Sequence, residues 1–229
     1  MTREAEIAAG LAAVRSRIDA ACAQAGRAPG SVRLLAASKY QSVEAIRHAY
    51  ALGQREFGEN YVQELVQKAA ALAELSELRW HLIGHLQSNK AKDVLRTGAA
   101  VQTVDSLKLC AALANRAAST GQTVDVYLQV NISEEPQKGG VAVAELGALV
   151  EAARSQSSLR LLGLMAIPQA SADPAPTRAA FQRLRGLADQ WGLAELSMGM
   201  SDDLELAIEE GATLVRVGTA LFGARPVAG

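Results

Sequence analysis

The sequence predicts an α/β chain folded as a closed (β/α)8 barrel, the TIM-barrel architecture, with an additional N-terminal helix. Three observations carry that prediction. Short apolar segments alternate with amphipathic helical stretches, there are eight such segments, and they fit within about 200 residues, the short end of the range for such barrels. A repeated strand, helix, strand order implies parallel pairing with right-handed crossovers. An open doubly wound sheet is the alternative that the same alternation allows.

The elements follow in order. Ile7, Leu11, Val14 and Ile18 form one stripe of a helix that ends near Gly26, closed by Pro29 and Gly30, and this helix is expected to cover the bottom or side of the barrel. The apolar segments are Val32 to Ala37, Glu56 to Gly58, Leu78 to Gly84, Ala100 to Val104, Val124 to Asn131, Leu159 to Leu164, Glu195 to Met198 and Leu214 to Gly218. Between them lie helical patterns such as Val43, Ile46, Tyr50 and Val62, Leu65, Ala69, Leu72, opened by caps such as Ser42 or Ser201. Gln169 to Thr177, with Pro174 and Pro176, reads as a loop after the sixth strand. Nothing in the sequence separates a second domain, so residues 1–229 are expected to form one barrel.

Composition narrows the function. With 49% hydrophobic residues, 23 basic against 24 acidic side chains and a net charge of -1, the chain has the profile of a soluble globular protein. Its length lets one core bury roughly 70 to 75% of the unfolded surface, without disulfides or structural metal. Balanced charge weighs against nucleic-acid or anionic-membrane binding through general electrostatics. Cys22 and Cys110 sit in alanine-rich helical stretches and read as reduced packing residues. With no apolar run long enough for a membrane span and no signal-like N-terminus, a cytoplasmic protein is expected.

Active sites of such barrels lie at the C-terminal ends of the strands. Unusual polar residues gather there: Lys39, Asn60, His85, Gln87, Ser88, Asp105, Asn131, Ser201, Arg216, Gly218 and Thr219. Lys39 at the end of the first strand can present a nucleophilic amine suited to Schiff-base chemistry, or it can be a snorkelling strand-end lysine. The segments after the seventh and eighth strands carry Gly199, Ser201, Gly218, Thr219 and Gly223, a composition suited to a phosphate held by backbone N–H groups and hydroxyls. Ser201 can equally be a helix N-cap, and Asp202 and Asp203, which would repel a phosphate, are expected to turn outward. Arg216 lies inside an apolar run and requires an anion or acceptor: a structural salt bridge, or a ring nitrogen of an aromatic cofactor.

The segments Ala37-Ser38-Lys39, Phe57-Gly58-Glu59-Asn60-Tyr61-Val62-Gln63-Glu64, Trp80-His81-Leu82-Ile83-Gly84-His85-Leu86-Gln87-Ser88-Asn89-Lys90, Gly163-Leu164-Met165-Ala166-Ile167-Pro168, Met198-Gly199-Met200-Ser201-Asp202-Asp203 and Arg216-Val217-Gly218-Thr219-Ala220-Leu221-Phe222-Gly223 strongly resemble the pyridoxal-phosphate homeostasis protein family. That family is related to the barrel domain of alanine racemase. The resemblance implies pyridoxal 5'-phosphate joined to Lys39 as an internal aldimine, its phosphate held by Ser201, Gly218 and Thr219, Arg216 facing the pyridine nitrogen and Asn60 near the ring. It also implies intracellular cofactor (vitamin B6) homeostasis by transimination, without established catalysis. Apo pyridoxal-phosphate enzymes would be the recipients.

Alanine racemase uses a second base from a β-rich domain. This chain ends at Gly229, soon after the eighth strand, so that base is expected to be missing and the protein to be a non-catalytic monomer. Tyr40 and Tyr61 are poor substitutes. Lys138 and Lys90 are candidate helpers of transimination, though each reads more simply as a surface lysine, and His85 is a candidate ligand contact. His81 reads as a barrel-interior histidine, Glu59 as a turn residue and Glu64 as a helix-surface charge; no metal site is expected. A weak amino-acid racemase and a cofactor-free Schiff-base aldolase acting on a phosphosugar are the enzymatic alternatives.

Overall fold

The computed structural model describes residues 2–135, 137–169 and 171–223. Gly229 and residue 170 of the expected sixth-strand loop lie outside them. Eight strands close into one parallel barrel in sequential order: β1 (Arg33–Ala37), β2 (Glu56–Glu59), β3 (Arg79–Leu82), β4 (Ala100–Val104), β5 (Val124–Gln129), β6 (Leu159–Met165), β7 (Glu195–Ser197) and β8 (Leu214–Val217). Closure comes from β8 pairing with β1, with Arg33 opposite Leu214 and Ala36 opposite Val217, which excludes the open-sheet alternative. Helices α1 (Arg3–Gln24), α2 (Val43–Ala51), α3 (Val62–Ala71), α4 (Ala91–Leu95), α5 (Leu107–Ser119), α6 (Leu146–Arg154), α7 (Pro174–Gln190), α8 (Leu204–Glu209) and α9 (Thr219–Phe222) are the remaining elements that bear on the site.

Strand alternation sorts the residues into two cores. Side chains such as Ala36, Phe57, Leu82, Val101, Val126, Leu164 and Val215 point outward and pack under the helices, and Leu35, Ile83, Tyr127, Met165 and Leu214 fill the barrel interior. Between these interior residues the same inward parity places Arg33, Glu56, His81, Gln102, Glu195, Ser197 and Arg216. The interior is therefore partly polar, which requires its members to satisfy one another.

The extra helix covers the side of the barrel. α1 packs on α2, α8 and α9, burying Ile7, Leu11, Val14 and Ile18, the stripe read from the sequence. Gly10 permits this docking, because a Cβ there would lie 2.3 Å from the Leu221 carbonyl oxygen on α9. Ser42 caps α2 as expected, accepting the Ala45 N–H at 3.1 Å.

Two boundary expectations need correction. Pro174 and Pro176 lie in the first turn of α7 rather than in a loop, with Asp173 as N-cap; proline there sacrifices no intrahelical hydrogen bond. Ser201 is not the cap of α8, which starts at Leu204 with Asp203 in the cap position. Cys22 and Cys110 are free and buried, and burial pushes the Cys110 thiol up. Among the described residues no helix is long and apolar enough to cross a membrane.

Candidate functional site

At the C-terminal mouth of the barrel a cavity of about 410 Å³ is lined by Lys39, Asn60, Ser201, Arg216, Gly218 and Thr219 together, the six residues singled out from sequence. Ala37, Gln41, Ile83, Ile167, Met200, Asp202 and Gly223 complete its wall. Those six residues come from the ends of β1, β2, β7 and β8, so barrel closure is what joins them.

Lys39 stands two residues beyond β1, in a turn closed by the Gln41 N–H to the Ser38 carbonyl at 3.0 Å. Asn60 directly follows β2, and Gly84 packs against it so closely that a Cβ would fall 2.0 Å from the Asn60 carbonyl oxygen. On the opposite side, the N-terminal helix supports the Ser201 turn. Arg17 donates to the Ser201 carbonyl at 2.8 Å and grips the Glu205 carboxylate with two further bonds. Gly218 precedes α9 beside Ala37, whose carbonyl oxygen would lie 3.1 Å from an added Cβ.

Arg216 is 5% exposed. Its guanidinium donates to the Ser197 carbonyl at 2.6 Å, the Ser197 hydroxyl at 2.7 Å and the Ala166 carbonyl at 2.9 Å. These are neutral acceptors, and among the described residues no carboxylate forms a salt bridge with it. Burial lowers its pKa to about 10, opposed by the charge of Asp203. A cation thus lies against the cavity, an arrangement that favours an electron-rich ligand.

The guanidinium is held by a chain of bonds across the interior. The Ser197 hydroxyl donates to Gln102 Oε1 at 2.6 Å, and Gln102 Nε2 donates to His81 Nδ1 at 3.0 Å. His81 Nε2 lies 3.5 Å from Glu56 Oε2, and Glu56 Oε1 accepts from Arg33 at 3.0 Å. Arg33 also donates to Tyr127 and Glu195 at the far end of the barrel. Burial opposes ionisation of Glu56, but His81 and Arg33 outweigh it and hold the carboxyl below its ordinary range. Burial and Glu195 push the Tyr127 phenol up. His81 is thus an interior histidine, as the sequence suggested, hydrogen-bonded through Nδ1.

Other expectations divide. Asp202 is exposed and borders both this cavity and a neighbouring groove, while Asp203 folds back so that its Oδ1 accepts the Met200 N–H at 2.6 Å. Burial pushes the Asp203 carboxyl up. His85, Gln87, Ser88 and Asp105 line a separate groove, so His85 is not part of this cavity wall. Lys138 pairs with Glu135 at 2.7 Å, and Lys90 is exposed in a short turn. Asn131 ties the same loop, donating to the Glu135 carbonyl at 2.8 Å.

Sequence reasoning misread Glu59 and Glu64. Glu59 is fully buried and, with Glu64, binds Lys68 directly behind Lys39, at 2.8 and 2.7 Å. The i, i+4 spacing of Glu64 and Lys68 was the available signal. Its burial depends on β1 and β2 pairing and was not visible locally.

The profile of the alanine racemase N-terminal domain matches residues 10–226. The pyridoxal phosphate homeostasis protein of Pseudomonas aeruginosa is 50% identical over 221 residues, covering 96% of each chain. Among solved structures, PipY of Synechococcus elongatus with PLP bound is 41% identical, with a TM-score of 0.84 over 95% of this chain and 100% of that one. Alanine racemase from Corynebacterium glutamicum shares the fold at a TM-score of 0.68 and 18% identity, over 96% of this chain and 63% of its own. The chain belongs to the family of pyridoxal phosphate homeostasis proteins, built on the alanine racemase N-terminal domain barrel.

Proposed function

We propose that this protein binds pyridoxal 5'-phosphate covalently at Lys39 and serves its intracellular homeostasis without catalytic turnover. The observation that carries the reading is the meeting, in one cavity, of an amine, a buried guanidinium held by neutral acceptors, and a glycine- and hydroxyl-lined rim. The volume of about 410 Å³ lies in the small-molecule range. Gly218 leaves its backbone uncovered where a side chain would crowd Ala37, so the rim suits a phosphate. Ser201 and Thr219 add hydroxyl donors, and Asn60 borders the ring position. Arg216 offers a donor, and not a proton acceptor, to the ring nitrogen, an arrangement that weakens the ring as an electron sink. Bound there, the cofactor supplies an aldehyde that an amine holds through a carbon–nitrogen bond with loss of water.

The absence of turnover is supported by the tyrosines. Tyr40 and Tyr61 hydrogen-bond each other at 2.8 Å, are 47% and 50% exposed, and are not among the residues lining the cavity. A reducing compartment, where the cofactor would be exchanged with apo enzymes, is the setting that the buried free cysteines fit. Reconstituted protein should be coloured, borohydride should fix the cofactor's mass on Lys39, and Lys39→Ala should abolish both. A colourless protein unmodified after borohydride would refute the reading. Hydrogen–deuterium exchange at the α-carbon across a panel of amino acids should stay at background; enzyme-like exchange would show a weak racemase instead.

A further inference from the structure

We propose that Lys68, with Glu59 and Glu64, is a positioning clamp that holds the turn carrying Lys39 in the orientation needed for aldehyde capture; the proposal rests on Lys39 being the covalent anchor. Lys39 and Tyr40 are the two central residues of the turn from Ser38 to Gln41. Tyr40 has φ 63°, in the left-handed region that this turn position usually reserves for glycine or asparagine. A residue held there persists only when its surroundings over-determine it, and such strain concentrates at functional sites.

The surroundings are specific. Lys68 Nζ donates to the Ser38 carbonyl at 2.8 Å, the same oxygen that closes the turn. Its other two bonds go to Glu59 Oε1 at 2.8 Å and Glu64 Oε2 at 2.7 Å. Glu64 Oε2 in turn accepts the Tyr40 N–H at 2.9 Å, and Glu59 Oε1 accepts the Ser38 hydroxyl at 2.7 Å. The backbone is thereby gripped on both sides of Lys39, and the three donors of the ammonium are spent. Lys68 is 7% exposed, and burying such a triad is poor value for stability alone. Burial pushes Glu59 above the ordinary carboxyl range; for Glu64, Lys68 and the Tyr40 N–H outweigh burial and hold it below. Since none of the three lines the cavity, they act through Lys39 and are positioning residues.

Lys68→Met keeps the stem and removes the ammonium. The test follows cofactor capture by absorbance and by borohydride-fixed mass, beside the affinity for pyridoxine 5'-phosphate, which has no aldehyde and reads ring and phosphate contacts alone. Capture should slow on the order of tenfold to a hundredfold, the cost of misplacing a reacting group. Affinity for the alcohol and the pH midpoint of capture should match wild type. In a Tyr40→Gly background, which relieves the turn, the Lys68→Met effect should shrink. Unchanged capture, equal loss of both ligands, a displaced pH midpoint or an undiminished effect beside Tyr40→Gly would each overturn the proposal. If Lys68→Met does not fold, Glu64→Ala at the more exposed end of the triad decides, with a smaller selective slowing expected and wild-type capture overturning it. Failure of wild-type protein to capture the cofactor would instead sink the binding reading itself.

Discussion

Ser197→Ala tests whether the interior chain of hydrogen bonds holds Arg216. The Ser197 hydroxyl accepts from the guanidinium at 2.7 Å and donates to Gln102 Oε1 at 2.6 Å, and both Ser197 and Gln102 are fully buried. Removing the hydroxyl forfeits one bond to a charged group, worth about 1.5–3 kcal/mol, and orphans a buried amide oxygen at about 1–3 kcal/mol. Because the guanidinium keeps its two carbonyl acceptors, the lower part of the sum applies, about 3 kcal/mol. For a chain of this length that lowers the unfolding midpoint by about 6–12 °C. Urea unfolding of the apo protein should show the loss as a lower midpoint concentration at constant slope. Adding Gln102→Leu removes the orphaned acceptor, so the double variant should cost less than the sum of the singles. A loss below about 1 kcal/mol, or strict additivity, would show that the chain does not bear on Arg216.

Two further outcomes follow from α1. Gly10→Ala places a Cβ 2.3 Å from the Leu221 carbonyl oxygen, so α1 and α9 must part; a stability loss of about 1–3 kcal/mol and weaker phosphate-ligand binding are expected, measured by unfolding and by titration with pyridoxine 5'-phosphate. The Arg17 hydrogen bond holds the Glu205 carboxyl below its ordinary value, so its contribution is complete above the unfolded value and lost as pH falls through the depressed folded one. Glu205→Gln should flatten the acid limb of the stability curve, whereas Asp203→Asn, removing a carboxyl that burial pushes up, should change that limb in the opposite sense.

The barrel was legible because its strands are short, apolar and evenly spaced, and the site because strand ends converge once the barrel closes. Lys39, Asn60, Ser201, Arg216, Gly218 and Thr219 needed no partner to be noticed: each is unusual where it stands. What stayed hidden depended on distant pairings. Arg17 reaches Ser201 across 184 positions, and Lys68 becomes buried only when β2 brings Glu59 beside Ser38. Pro174 and Pro176 misled because proline marks loops and first helical turns alike.

The polar interior explains why the guanidinium, and not merely the amine, identifies this site. Barrels usually fill this space with branched aliphatic side chains, which cost nothing to desolvate. Here Arg33, Glu56, His81, Gln102 and Ser197 occupy it, and the donors run one way, from Arg216 through Ser197 and Gln102 to His81. Reversing any one amide or hydroxyl would set donor against donor, so the chain fixes the orientation of every member. Replacing it with aliphatic packing would relieve a desolvation burden, but Arg216 would then lose the Ser197 hydroxyl network that directs it. Retaining so expensive an interior makes physical sense where a cation must stand at one angle against the cavity.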